Sequence, residues 1–95
     1  MAEEVGKAFG IEKFVGTDFG FWRMQIEDSL YGKKLHLLLL GEKPTTMKGE
    51  EWALLDKQVL GVIRLTLSRS IAHNVVKEKT TADLMKALSG MYEKP

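Results

Sequence analysis

The sequence contains no cysteine. Disulfides and thiolate zinc sites are thereby excluded, and the composition fits a reducing compartment. Neither sign of charge is in excess: 14 basic and 13 acidic side chains leave a formal net charge of +1. That is too little to attract a nucleic-acid backbone or an anionic membrane by bulk electrostatics. Long apolar runs are missing as well. The longest is the four leucines Leu37 to Leu40, far short of the ~20 residues a spanning helix needs. The opening residues, MAEEVGKAFG, are acidic and hold no apolar stretch of signal-peptide type. Proline is scarce, with two residues, and no segment sustains the alternation of a half-buried strand.

What is present is helical periodicity in a chain of one-domain length, 95 residues. Residues 1–16 hold three glycines and no sustained period, and are expected to form a flexible tail, partly pinned by Phe9, Ile11 and Phe14. Residues 17–95 are expected to form an all-α domain, a compact bundle of four to five short helices. The patterns predict helices over 18–31, 33–40, 49–67, 69–77 and 81–93. In the first, Phe19, Trp22, Ile26 and Leu30 recur at helical spacing, with Thr17 or Asp18 as the N-cap and Gly32 as a left-handed C-cap. The second stops at Gly41. In the third, Trp52, Leu55, Val59, Val62, Ile63 and Thr66 form one stripe, while Leu54, Gly61 and Leu65 make a second side apolar. A helix apolar on two sides is expected at the centre of a fold. Ser68 or Ser70 caps the fourth, which carries Ile71, Val75 and Val76. Thr80 with Asp83 resembles a capping box for the last, whose buried face is Leu84, Leu88, Met91 and Tyr92. The expected core anchors are Trp22, Leu30, Trp52, Leu67, Leu84, Leu88 and Tyr92.

Chemistry-bearing patterns are weak. His36 and His73 are too far apart for a local metal motif, and no HExxH, GxGxxG or Walker pattern occurs. Ser68, Ser70, His73 and Asp83 have the residue types of a triad, but triads are defined by geometry and such a set is common in small proteins. Glu50 and Glu51 are adjacent, diverge by ~100° on a helix, and suit the first turn better than acid/base work. The small basic groups (Lys33 with Lys34, Arg64 with Arg69, Lys77 with Lys79) read as solvated surface. No catalytic, cofactor-binding or metal-ligating residue is assigned, and no cofactor is expected.

The four consecutive leucines are the unusual feature. On a helix, four successive positions sweep most of the circumference, so one core cannot face them all. Leu35, Leu38 and Leu39 share one side and are expected to pack inward. Leu37 and Leu40 lie on a side rotated away. They are candidates for self-association, for cover by the tail through Phe9 or Ile11, or for plain exposure.

The stretch KFVGTDFGFWRMQIEDSL resembles the opening of the Gag polyprotein of copia-type LTR retrotransposons, through Phe14, Gly16, Phe19, Trp22, Met24 and Leu30. EEWALLDKQVLGVIRLTLS is similar to that family's second tryptophan helix, through Trp52, Asp56, Ile63, Leu65, Leu67 and Ser68. VVKEKTTADLMKAL and the following MY resemble its next element, through Val76, Thr81, Ala82, Leu84, Leu88 and Tyr92. The sequence departs from the pattern near His36 and Met85, where the family often has tryptophan, and near Leu40 and Arg69, where it often has polar and acidic residues. The resemblance implies a capsid-like N-terminal lobe that self-associates in virus-like particles in the cytoplasm. RNA would be bound only through regions absent from this chain, such as a zinc knuckle, and no membrane would be involved. A domesticated Gag-derived module holding a host peptide or protein in a helical groove is the alternative. A small nucleic-acid binder ranks behind both because of the near-neutral charge, and an enzyme last.

Overall fold

A computed structural model describes residues 10–93. Five helices follow one another: α1 (Phe19–Gly32), α2 (Leu37–Leu40), α3 (Gly49–Leu65), α4 (Arg69–Asn74) and α5 (Thr81–Tyr92). The all-α expectation stands. Among the described residues no helix is long and apolar enough to cross a membrane. The five helices overlap the ranges where periodicity placed them, but α2, α3 and α4 are each shorter than expected by two or more residues, and several caps differ.

Helix α1 buries Phe19, Trp22, Ile26 and Leu30, the expected stripe. Its ends are not the expected ones. Asp18 precedes it in the left-handed region, at φ 59°, and its side chain makes no capping bond. Gly32 is simply the last helical residue; Lys34 takes the left-handed conformation instead, at φ 62°. The Leu35 N–H donates to the Leu30 carbonyl at 2.7 Å and the Lys34 N–H to the Tyr31 carbonyl at 3.0 Å. These are the two bonds of a Schellman motif, in which the residue after the left-handed one folds back over the helix end. This turn uses residues 33–36, so α2 spans only 37–40 and not 33–40. Gly41 ends α2 with a second such turn at φ 69°. There, an added Cβ would lie 3.4 Å from the Ala82 Cβ of α5, so backbone conformation and close packing both favour glycine.

Helix α3 ends at Leu65, two residues early, because Leu67 leaves it to form a parallel bridge with Phe14. The Phe14 N–H donates to the Thr66 carbonyl at 2.7 Å, and the Ser68 N–H to the Phe14 carbonyl at 2.9 Å. The expected tail is therefore corrected. Ile11 and Phe14 are each 3% exposed and belong to the core. The bridging backbone is fixed by its hydrogen bonds, so the folded unit includes residues before 17. Phe9 lies outside the described residues.

Helix α4 ends at Asn74 and not at residue 77. The chain turns at Val75, whose side chain is fully buried, and the Arg64 Nη2 donates to the Glu78 carbonyl at 2.8 Å to hold the return. Ser68 occupies the N-cap position of α4 without a side-chain bond. In α5 the expected cap is present: the Thr80 hydroxyl accepts from the Asp83 N–H at 3.1 Å. A second acceptor was not foreseen. The carboxylate of Asp56, buried on α3, accepts from the Thr81 N–H at 2.8 Å. Helix α5 packs against both α2 and α3.

Of the seven expected anchors, Trp22, Leu30, Leu67, Leu84 and Leu88 are buried, while Trp52 and Tyr92 are half-buried and pack against the core from its edge. Phe14, Phe19, Trp22 and Tyr92 form an aromatic cluster with ring centres 5.0 to 6.1 Å apart. The Trp22 indole N–H donates to the Thr66 hydroxyl at 3.0 Å, and that hydroxyl donates to the Ile63 carbonyl at 2.6 Å. A buried indole and a buried hydroxyl thereby satisfy each other.

Candidate assembly surface

The leucines in and before α2 differ in burial, and Leu35 lies in the turn that precedes the helix. Leu38 is buried, and Leu35 and Leu39 are half-buried against the core. Leu37 is half-buried, and Leu40 projects with 61% of its surface exposed. Ile11, one of the residues expected to cover them, is committed to the core.

Leu40 stands between two grooves. One, of about 480 Å³, runs between α2 and α5 and is lined by Leu39, Leu40, Ala82, Met85 and Ser89 among others. The other, of about 110 Å³, lies between α1 and α2 and includes Tyr31, His36, Leu39 and Leu40. The Tyr31 and His36 rings are stacked with centres 4.4 Å apart and planes 5° apart. Tyr31 is itself 60% exposed, so tyrosine, stacked imidazole and leucine border one depression.

Arg23 lies at the junction of the two grooves. Its Nε pairs with Glu27 at 3.2 Å, and its Nη1 donates to Ser89 at 2.9 Å and to Glu93 at 3.0 Å. One guanidinium thus faces two carboxylates across α1 and α5. Partial exposure screens these pairs, and their value is orientation of the two helices more than stability. The resulting surface is apolar in its middle and near neutral at its rim. It is suited to contact with another apolar face and poorly suited to a phosphate backbone.

The sequence left two other apolar faces unremarked or misplaced. On α1, Phe21, Met24 and Tyr31 are all exposed and fall within an arc of ~80° opposite the buried stripe. On α3, Leu54 and Leu65 are 60% and 54% exposed. The expectation that α3 is covered on both sides is therefore corrected: its second side faces outward. The signal was in the sequence, but periodicity does not say how many layers cover a helix.

The serine and histidine set does not converge. Ser68, Ser70 and His73 line one open depression of about 880 Å³ at α4, whereas Asp83 lines the α2–α5 groove. The Asp83 N–H is used by the Thr80 cap. Glu50 and Glu51 lie in the first turn of α3. Among the described residues no group of three or more His, Cys, Asp or Glu could hold a metal ion.

Among curated proteins, the chain is 34% identical over 90 residues to the retrovirus-related Pol polyprotein from transposon TNT 1-94 of Nicotiana tabacum. The match covers 92% of this chain and 7% of that polyprotein, in its N-terminal region. The chain is thus related in sequence to a retrotransposon polyprotein. No family model matches it, and no solved structure does.

Proposed function

We propose that this chain is a structural Gag capsid domain that takes part in self-assembly of the virus-like particles of a copia-type retrotransposon. The observation that carries the reading is the similarity to a retrotransposon polyprotein across 92% of the chain. The order of the tryptophan helices and the uncovered Leu40 support it. On this reading the partner is a second copy of the same chain, the RNA is held by regions outside it, and assembly takes place in the cytoplasm. One exposed leucine leaves ~1.5–3 kcal/mol of burial unrealised, a contact weak in a pair of subunits and strong when repeated around a shell.

The test is Leu37→Glu combined with Leu40→Glu. The isolated chain should keep its helical spectrum, while the parent polyprotein should stop forming sedimentable particles. Particles of normal yield would remove α2 from the assembly contacts, and loss of helicity would mark these leucines as core.

The α2–α5 groove favours a second reading, a domesticated Gag-derived module that holds a host segment between helices. Under it, the same double substitution abolishes capture of that segment, and the parent forms no particles with or without the change.

A further inference from the structure

The segment before α1 joins the helix through a sharp reversal. Gly16 lies at φ 104° and Asp18 at φ 59°, with Thr17 between them. Glycine adopts such a backbone freely, whereas in aspartate it is strained. Aspartate is also among the best N-cap residues, but it caps from an extended backbone. Held left-handed at the start of α1, the Asp18 side chain makes no capping bond. Rotation of its backbone into the extended region would relieve the strain and let the carboxylate accept from the first turn of α1. The same rotation would swing residues 10–16 away from their own core.

The site vacated in that way has a well-defined shape. Ile11 and Phe14 are buried in it. The Phe14 ring packs against Phe19, Trp22 and Tyr92 with centres 5.0 to 5.5 Å away. Its N–H donates to the Thr66 carbonyl, and its carbonyl accepts from the Ser68 N–H. A second copy carries the same residues in the same order, so its segment can restore every one of these contacts. Short hinges under strain invite such an exchange, and exchange of an identical element is a ready route to dimers.

We infer that residues 16–18 are the hinge of a reciprocal exchange, in which residues 10–15 of each chain enter the core of a second copy of this chain. The hinge spans roughly 10 Å when extended, so the two copies would meet with the starts of their α1 helices side by side. Val15 and Phe21 flank the hinge there. Both are exposed apolar side chains, and they border one groove of about 300 Å³. In the exchanged pair these side chains would be covered by the other copy. Exchange of this kind goes beyond the capsid reading and does not rest on it.

The absence of cysteine makes disulfide trapping a clean test. Val15 and Ser68 are the next pair in the register of the Phe14–Leu67 bridge, and paired strands lie ~4.8 Å apart, within disulfide reach. A chain with Val15→Cys and Ser68→Cys closes its disulfide internally as a monomer and between chains after exchange. A side-by-side dimer whose chains keep their own segments gives only the internal bond. The double variant is warmed to its melting midpoint at millimolar concentration, cooled, diluted, oxidised and run on a denaturing, non-reducing gel. The same is done with Asp18→Gly added, which removes both the strain and the cap, and with Asp18→Pro added, whose fixed φ forbids the closed hinge. Covalent dimer should increase with concentration in the chain that keeps Asp18. It should fall at least about fivefold with Asp18→Gly and predominate with Asp18→Pro.

Monomer bands alone in the chain that keeps Asp18, at every concentration, overturn the inference. A dimer fraction that Asp18→Gly leaves unchanged also overturns it, because Asp18 would then not govern exchange. Either single-cysteine variant dimerising as readily as the double variant marks the cross-link as collisional, with the same consequence. A folded Asp18→Pro chain that stays monomeric overturns it as well, and the glycine comparison is decisive without the proline chain.

Discussion

At the scale of single residues, the chain keeps two non-glycine residues in the left-handed region, Asp18 and Lys34. Lys34 is exposed and sits where a Schellman motif ordinarily has glycine. A side chain in that conformation costs ~1–2 kcal/mol, partly offset by glycine's greater unfolded-state freedom. Lys34→Gly should therefore stabilise the fold by ~0.5–1 kcal/mol and raise the melting temperature by a few degrees, as read by thermal denaturation. An unchanged or lower midpoint would mean the lysine makes a compensating contact. The glycine two residues earlier, Gly32, has helical backbone and no such role, although its residue type made it the natural candidate for the turn.

At the scale of elements, α5 is held by its first turn. Thr80 satisfies one free N–H, and the buried Asp56 of α3 satisfies another. The carboxylate also faces the positive end of the α5 dipole. Asp56→Ala would strand the buried Thr81 N–H and should cost ~1–3 kcal/mol. Asp56→Asn keeps an acceptor oxygen in place and should cost less. Urea denaturation of the two variants separates these outcomes, and equal losses would show that charge, not the hydrogen bond, secures α5.

For the whole molecule, the decisive feature is that the segment before α1 is part of the core. Ile11 and Phe14 are buried, and Phe14 ties the α3–α4 corner through two backbone bonds. Burying such side chains contributes ~1.5–3 kcal/mol each, against a total stability of ~5–15 kcal/mol for a small domain. Deleting residues 1–16 should leave a chain with weak helicity and no cooperative melt. A truncated chain that melts like the parent would restore the view of this segment as a tail.

Local physics was enough to determine the helices of this protein. Phe19, Trp22, Ile26 and Leu30 could bury together only on a helix, and Thr80 with Asp83 announced where α5 begins. On α2 the spacing placed Leu38 and Leu39 inward, whereas Leu35 packs against the core from the turn before the helix, which periodicity did not show. Partnership between distant elements was not legible. Phe14 bridging Leu67, Trp22 donating to Thr66 and Asp56 capping α5 each join residues 25 to 53 positions apart, and no periodicity encodes them. Exposure followed the same division. Leu54 and Leu65 announced an apolar second side to α3, but whether that side met another layer or solvent depended on how many helices a chain of this length could stack around it. That number is set by packing in three dimensions, and it left Leu54 and Leu65 facing outward.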